Sequence, residues 1–387
     1  MTRWLEGAVV LSDRVLPNGL VAVNGSKIVG VWDLEASPRP ESQDERQTTK
    51  VEKGYIAPGY IDIHCHGGGG ADFMDGTPEA VAVITETHAR HGTTGMLATT
   101  LTAPEEALIR SLRAVKAAPR RGARVLGFHI EGPFINVKVK GAQDERYVRT
   151  ASVAELDRLL AEGEEEHAWH FTVAPEIPGH LESIRHLHQR GAVISAGHTE
   201  CTMAQLAGSM EAGVSHVTHL FNAMRGLHHR EPGTVGAALT LPGMTVELIA
   251  DGVHVHPVSM KVAVAARGAD GVLLVTDAMM ATGMPDGDYK LGELDVFVKD
   301  GAARLKLDGN LAGSVLTMAT AVRNMVNLVG VSLPQAVAMA SLNPARKHGL
   351  AHRKGSIAPG KDADILLLDG NLAVVETIVE GKTVWNV

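Results

Sequence analysis

Between residues 60 and 277, eight short apolar segments alternate with helical patterns, and this alternation constrains the fold most. The segments are Tyr60–His66, Gly95–Leu101, Arg124–Glu131, His170–Pro175, Ala192–Gly197, Val214–His219, Thr245–Asp251 and Val272–Asp277. Helical spacing of apolar residues fills most intervals, at Pro78–His91, Pro104–Ala118, Ser152–Leu160, Leu181–Arg190, Thr202–Ala212 and Pro257–Arg267. Runs such as Val125-Leu126-Gly127-Phe128 are apolar on both faces, as strands of a covered parallel sheet are. Eight strand–helix units predict an α/β chain closed as a (β/α)8 TIM-type barrel. A doubly wound open sheet is the runner-up. Against it, Gly67-Gly68-Gly69-Gly70 is not a G-x-G-x-x-G turn opening a helix, and reads as a flexible loop beside the site.

The flanks have a different texture. Leu20–Val23 and Lys27–Val31 around Asn24-Gly25 read as a hairpin. Ser37 to Lys50 is polar and reads as a surface loop. Asp364–Asp369 reads as a strand and Val374–Trp385 as a hairpin around Glu380-Gly381. Residues 1–56 and 357–387 are therefore expected to form one small β-sandwich domain from both termini, with the barrel spanning 57–356. An insertion with hairpin character, Ala281 to Arg304, follows the eighth strand, and helices follow at Leu316–Val329 and Leu333–Ala340. The 387 residues are 45% hydrophobic and 21% charged, the balance of an ordinary globular chain. A net charge of −8 with no Lys/Arg run argues against nucleic acid. No segment is apolar enough to span a membrane or serve as a signal peptide. Two cysteines, Cys65 and Cys201, exclude a disulfide framework, so a cytoplasmic location is expected.

The chemistry-bearing residues fall at predicted strand ends, where barrel enzymes hold their sites. The first strand ends in His64-Cys65-His66, whose imidazoles lie two residues apart on one face and can reach a common cation. Their alternative is a hydrogen-bonded core pair. The third strand ends in Glu131, a carboxylate that needs a positive partner. The fifth, sixth and eighth run into His198, His219 and Asp277. Neutral imidazoles with carboxylates suit Zn or Fe. Asp277 would take a proton from water and pass it to the leaving group; its alternative is a helix N-cap before Ala278-Met279-Met280. Arg230 and His254, on loops of the same face, could bind an anion such as phosphate, although Arg230 alone also reads as a surface charge. Leu311-Ala312-Gly313-Ser314 could approach a ligand through its small residues or cap the next helix.

Ile61-Asp62-Ile63-His64-Cys65-His66-Gly67, His129-Ile130-Glu131-Gly132-Pro133, Gly197-His198-Thr199 and Thr218-His219-Leu220-Phe221-Asn222-Ala223-Met224 resemble the amidohydrolase superfamily. Within it they resemble the N-acetylglucosamine-6-phosphate deacetylase family. Thr276-Asp277-Ala278-Met279, Asp308 to Ser314 and Asn343-Pro344-Ala345 continue the resemblance in order. It implies a metal-dependent barrel, usually a homodimer, that removes acetate from N-acetyl-D-glucosamine 6-phosphate in amino-sugar catabolism. It implies one or two divalent metals per subunit, with Glu131, His198 and His219 on the main metal and His64 and His66 on a second. Asp277 is implied as general base and then acid. Asn222, Ala223, Arg230 and His254 match substrate- and phosphate-binding positions, some serving a neighbouring subunit. Ala142, Gln143, Leu311, Ala312, Gly313 and Ser314 match sugar contacts. Where the family shows Lys-Gly-Ala-His, this chain has Lys140-Gly141-Ala142-Gln143; Gln donates through its NH2 but carries no positive charge. The alternatives are the galactosamine epimer as substrate, another amide-hydrolysing member, or a non-catalytic phosphosugar-binding protein.

Overall fold

Apolar segments too short for helices become parallel strands here because both of their faces are covered. In a computed structural model describing residues 2–387, these strands are β1 (Tyr60–Cys65), β2 (Thr93–Thr100), β3 (Arg124–Glu131) and β4 (Ala168–Val173), then β5 (Val193–Ala196), β6 (Val214–Val217), β7 (Thr245–Ile249) and β8 (Val272–Val275). They stand in sequence order in one eight-stranded sheet. The sheet closes where β8 returns to β1: the Asp277 amide donates to the His64 carbonyl at 2.9 Å and the His66 amide to the Ala278 carbonyl at 2.9 Å. Below that seam Thr276 Oγ1 donates to the buried carboxylate of Asp62. The (β/α)8 barrel expected from the alternation is the fold of residues 60–277.

Helices α1 (Pro78–Ala89), α2 (Glu105–Ala117), α3 (Val153–Leu160), α4 (His180–Gln189), α5 (Met203–Met210), α6 (Gly233–Thr240) and α7 (Pro257–Arg267) fill the intervals between strands. Their starts are chemically marked. Thr77 precedes α1, accepts from the Ala80 amide and is followed by proline at the first helical position. Beyond the barrel, the helix expected over Leu316–Val329 is α8 (Met318–Asn324), running into a π-helical turn at Met325–Val329. Among the described residues no helix is long and apolar enough to cross a membrane.

Both termini enter a second sheet. Its strand order is Lys382–Asn386, Val374–Val379, Ile365–Asp369, Thr48–Pro58, Thr2–Val10, Val15–Asn24 and Lys27–Asp33. The two predicted hairpins are present. Thr48–Pro58, by contrast, begins inside the stretch expected to be loop. Its first half is polar and half exposed, so alternation alone does not reveal it. It is the strand on which the termini meet, parallel to Thr2–Val10 and antiparallel to Ile365–Asp369. Leu5, Val21, Ile28, Ile56, Ile365 and Ile378 form a core of its own for this sheet. The insertion after β8 is a three-stranded antiparallel sheet, Gly287–Leu291, Leu294–Lys299 and Ala302–Leu305. It packs on Leu101 and Met279 at the carboxyl end of the barrel.

One buried cation ties the segment after the last helices to the terminal sheet. Lys354 Nζ lies 2.6 Å from Asp364 and 3.0 Å from Asp362, with the lysine side chain 1% exposed. Removing one partner of a buried pair strands the other charge in low dielectric. Lys354→Met is therefore expected to cost about 3–5 kcal/mol of unfolding free energy, read by denaturant titration; a loss under about 1 kcal/mol would show that water reaches these carboxylates.

Candidate active site

Strands β5, β6 and β8 end before the polar residue expected to terminate them, and the reason is conformational. His198, His219 and Asp277 have φ of +45°, +29° and +50°, so the chain leaves the extended state at each of them. Phe221 and Ala223 follow with φ of +81° and +49°. Positive φ is costly for residues with a Cβ, and such strain persists where the surroundings enforce it, often at functional sites. Here it turns the side chains off their strands and over the barrel mouth. No helix follows Asp277, so it is not an N-cap.

The turned side chains meet around one atom. Glu131 Oε1 lies 3.2 Å from His198 Nε2 and 3.2 Å from His219 Nε2, and those two nitrogens are 3.1 Å apart. His64 Nε2 is 3.3 Å from the same oxygen and 3.3 Å from His66 Nε2. His66 Nε2 is 3.3 Å from Glu131 Oε2 and 3.2 Å from Asp277 Oδ1. All six residues are buried.

Two properties of this cluster fit a divalent cation. First, His198 Nδ1 donates to the Val139 carbonyl at 3.0 Å, so its Nε2 presents a lone pair to the centre. Protonating Nε2 of both His198 and His219 would instead aim two N–H groups at each other across 3.1 Å. Second, tetrahedral ligands about 2.0–2.1 Å from a metal sit about 3.3 Å from one another, which is the spacing seen here. Glu131, His198 and His219 make one candidate ligand group, and His64, His66 and Glu131 a second. Zn or Fe suits either set of donors.

The electrostatics point the same way. Burial alone would raise the Glu131 pKa, but the imidazoles of His64, His198 and His219 outweigh it and hold the carboxyl well below its usual range. Burial would likewise raise Asp277, and His64 and His66 outweigh it. His66 is pushed down by burial and up, more strongly, by Asp277 and Glu131, reaching about 9. The centre thus attracts positive charge.

A cavity of about 390 Å³, within the range of small-ligand sites, opens above the cluster. Gln143, Ala142, Asn222, Ala223, His254, Leu311 and Gly313 all line it. His254 is oriented by Asp251, 2.6 Å from its Nδ1. Gln143 is already engaged at both ends of its amide: Nε2 donates to Glu131 Oε2 at 2.6 Å and Oε1 accepts from the Thr102 amide at 2.7 Å. Ala312 and Ser314 stand behind the wall, where Ser314 Oγ donates to the Thr276 carbonyl. Arg230 is the predicted residue that the fold leaves out at the surface, away from this cavity. It is exposed, with Nη1 2.7 Å from His229 Nε2. Met224 and Asn310, which belong to the quoted motifs but were assigned no role, also line the cavity, as do Leu101, Val139 and Leu291, which sequence reasoning passed over. Sequence reasoning also passed over Glu247, which contacts His64 from behind at 2.9 Å. The signal for Glu247 was present: a lone acid inside the apolar run Val246–Ile249.

Comparison with known proteins places this geometry among hydrolases. The amidohydrolase family model matches residues 55–384. A curated N-acetylglucosamine-6-phosphate deacetylase from Bacillus subtilis (strain 168) is 38% identical over 384 residues, covering 97% of this chain and 95% of the relative. An N-acetylgalactosamine-6-phosphate deacetylase from Escherichia coli O157:H7 is 41% identical over 349 residues, covering 89% and 90%. The solved structure of a mutant N-acetyl-D-glucosamine-6-phosphate deacetylase from Mycobacterium smegmatis, in complex with N-acetyl-D-glucosamine-6-phosphate, superposes with a TM-score of 0.92. It is 34% identical, with 99% of each chain covered.

The position of Glu131 depends on the residue after it. Gly132 has φ of +74°, and a Cβ there would lie 2.1 Å from Thr102 Oγ1. Gly132→Ala is expected to lower unfolding free energy by about 1–3 kcal/mol and to weaken metal retention, read by thermal unfolding and metal analysis. Wild-type values in both would show that the turn does not hold Glu131.

Proposed function

The chain belongs to the amidohydrolase family, and on that premise we propose that it hydrolyses the acetamide of N-acetyl-D-glucosamine 6-phosphate, giving D-glucosamine 6-phosphate and acetate. The observation that carries this reading is the convergence of three imidazoles on Glu131 Oε1 with Asp277 beside them at the mouth of a closed barrel. The relatives' shared chemistry supports the substrate class.

Glu131, His198 and His219 would hold the main cation, and His64 and His66 with Glu131 would hold a second. A bound divalent cation supplies Lewis-acid polarisation of the amide carbonyl and an acidified water. Gln143 keeps the Glu131 carboxylate oriented through its amide NH2. Asp277 accepts the proton of the attacking water on its carboxylate and delivers it to the departing sugar nitrogen. His254, fixed by Asp251, faces the substrate from the cavity wall. Asn222, Ala142, Ala223, Leu311 and Gly313 shape the sugar pocket, with Ala312 and Ser314 supporting it. Arg230 lies off its own cavity, three residues from the exposed Leu227, and serves the phosphate of a second copy in a homodimer. The native metal in this reading is Zn or Fe, which suit these imidazole and carboxylate donors. The buried thiols Cys65 and Cys201 fit a reducing cytoplasm.

The purified protein is expected to release acetate from N-acetylglucosamine 6-phosphate, to stop with chelator and to recover with Zn2+. Full activity after exhaustive chelation would contradict the metal role. Asp277→Asn is expected to lose about 10²–10⁴-fold in kcat while keeping its metal; unchanged turnover would remove Asp277 from the proton path. Arg230→Ala should raise KM by roughly 10–100-fold, the worth of a charge-assisted hydrogen bond to phosphate. Equal rates on unphosphorylated N-acetylglucosamine would end the phosphate assignment. Faster turnover of N-acetylgalactosamine 6-phosphate would transfer the reading to that epimer.

A further inference from the structure

Glu247 is a carboxylate wholly buried in the apolar strand β7, behind the cavity rather than in its lining. A buried carboxylate is costly unless several donors satisfy it. Its Oε2 accepts from His64 Nδ1 at 2.9 Å and from the His219 backbone amide at 3.0 Å, while Oε1 stands 3.5 Å from His216 Nε2. Its carbonyl accepts from the Leu220 amide at 2.9 Å. Side chain and backbone together therefore clamp strand β1 and the turn after β6.

An ionised carboxylate offers only acceptors, so the hydrogen of neutral His64 lies on Nδ1. Its Nε2 is left with a lone pair. That lone pair is aimed at Glu131 Oε1 at 3.3 Å, His66 Nε2 at 3.3 Å and Asp277 Oδ1 at 3.5 Å. Two of those three neighbours are carboxylate oxygens, and a divalent cation set among them would satisfy the oxygens and the lone pair together. Carboxylates that fix the tautomer of a ligating imidazole also strengthen it as a ligand.

We propose that Glu247 is the positioning residue of the second cation site, holding His64 so that its Nε2 joins His66 and Glu131 around a second divalent cation. The inference rests on the reading of His64 and His66 as ligands given above. It adds that the metal count of this chain is set from behind the cavity, by a residue touching neither substrate nor cation.

The test is calorimetric titration of chelator-stripped full-length protein with Zn2+, alongside metal analysis and thermal unfolding. Wild type is expected to take two equivalents. Glu247→Gln keeps an acceptor for both donors but loses the charge, and should weaken the second site by about 10–100-fold with the first nearly unchanged. Glu247→Leu should take one equivalent; if it fails to fold, Glu247→Gln still decides. His216→Gln touches only the Oε1 side and should keep both sites, which separates positioning from general loss of packing. Two equivalents at wild-type affinity in Glu247→Gln, or equal weakening in His216→Gln, would overturn the role. A wild type that releases acetate with a single equivalent would overturn this inference alone. A wild type that binds no metal and releases no acetate would overturn the functional reading beneath it.

Discussion

The structure turns on one buried carboxylate. Glu131 sits at the end of an apolar strand where water cannot solvate its charge, and an unpaired charge there is very costly. The fold answers by bringing imidazoles from three other places in the chain within 3.3 Å of its oxygens. Those imidazoles also crowd one another, nitrogen against nitrogen, an arrangement that a shared cation relieves. The left-handed backbone at His198, His219 and Asp277 follows from the same demand. Strands continued in extended form would carry these side chains along the barrel wall rather than over its mouth.

The layers around the cluster have separable tasks. The barrel seam at His64, His66, Asp277 and Ala278 joins the first and last strands through backbone groups of three candidate site residues, so the closure that shuts the barrel also sets His64 and His66 beside Asp277. Gln143 holds Glu131 and Glu247 holds His64, each through a hydrogen bond from outside the cluster. The three-stranded insertion supplies Leu291 to the cavity wall, and the terminal sheet stays outside it among the described residues. The candidate site thus lies at the carboxyl end of the barrel, where barrel enzymes generally hold their chemistry.

Much of this was legible in the sequence, for a physical reason. A buried polar residue at the end of an apolar run is rare unless something pairs with it, so Glu131, His198, His219 and Asp277 stand out, as does the His64/His66 pair. The barrel was legible because its strands are apolar on both faces. Thr48–Pro58 was not, because its first half is polar and its partners come from both ends of the chain. Glu247 stood out as a lone acid in an apolar run, but its role did not, because its partners, His64 and the His219 amide, are 183 and 28 residues away. Arg230 shows a further limit: its residue type suits phosphate, but loop conformation leaves it exposed and off this cavity.

The most direct test of the central claim is anomalous diffraction from crystals of the protein grown with Zn2+, recorded on both sides of the metal's absorption edge. The account predicts an anomalous peak within bonding distance of Glu131 Oε1, His198 Nε2 and His219 Nε2. Fully occupied zinc elsewhere, with no peak between these three atoms, would contradict it.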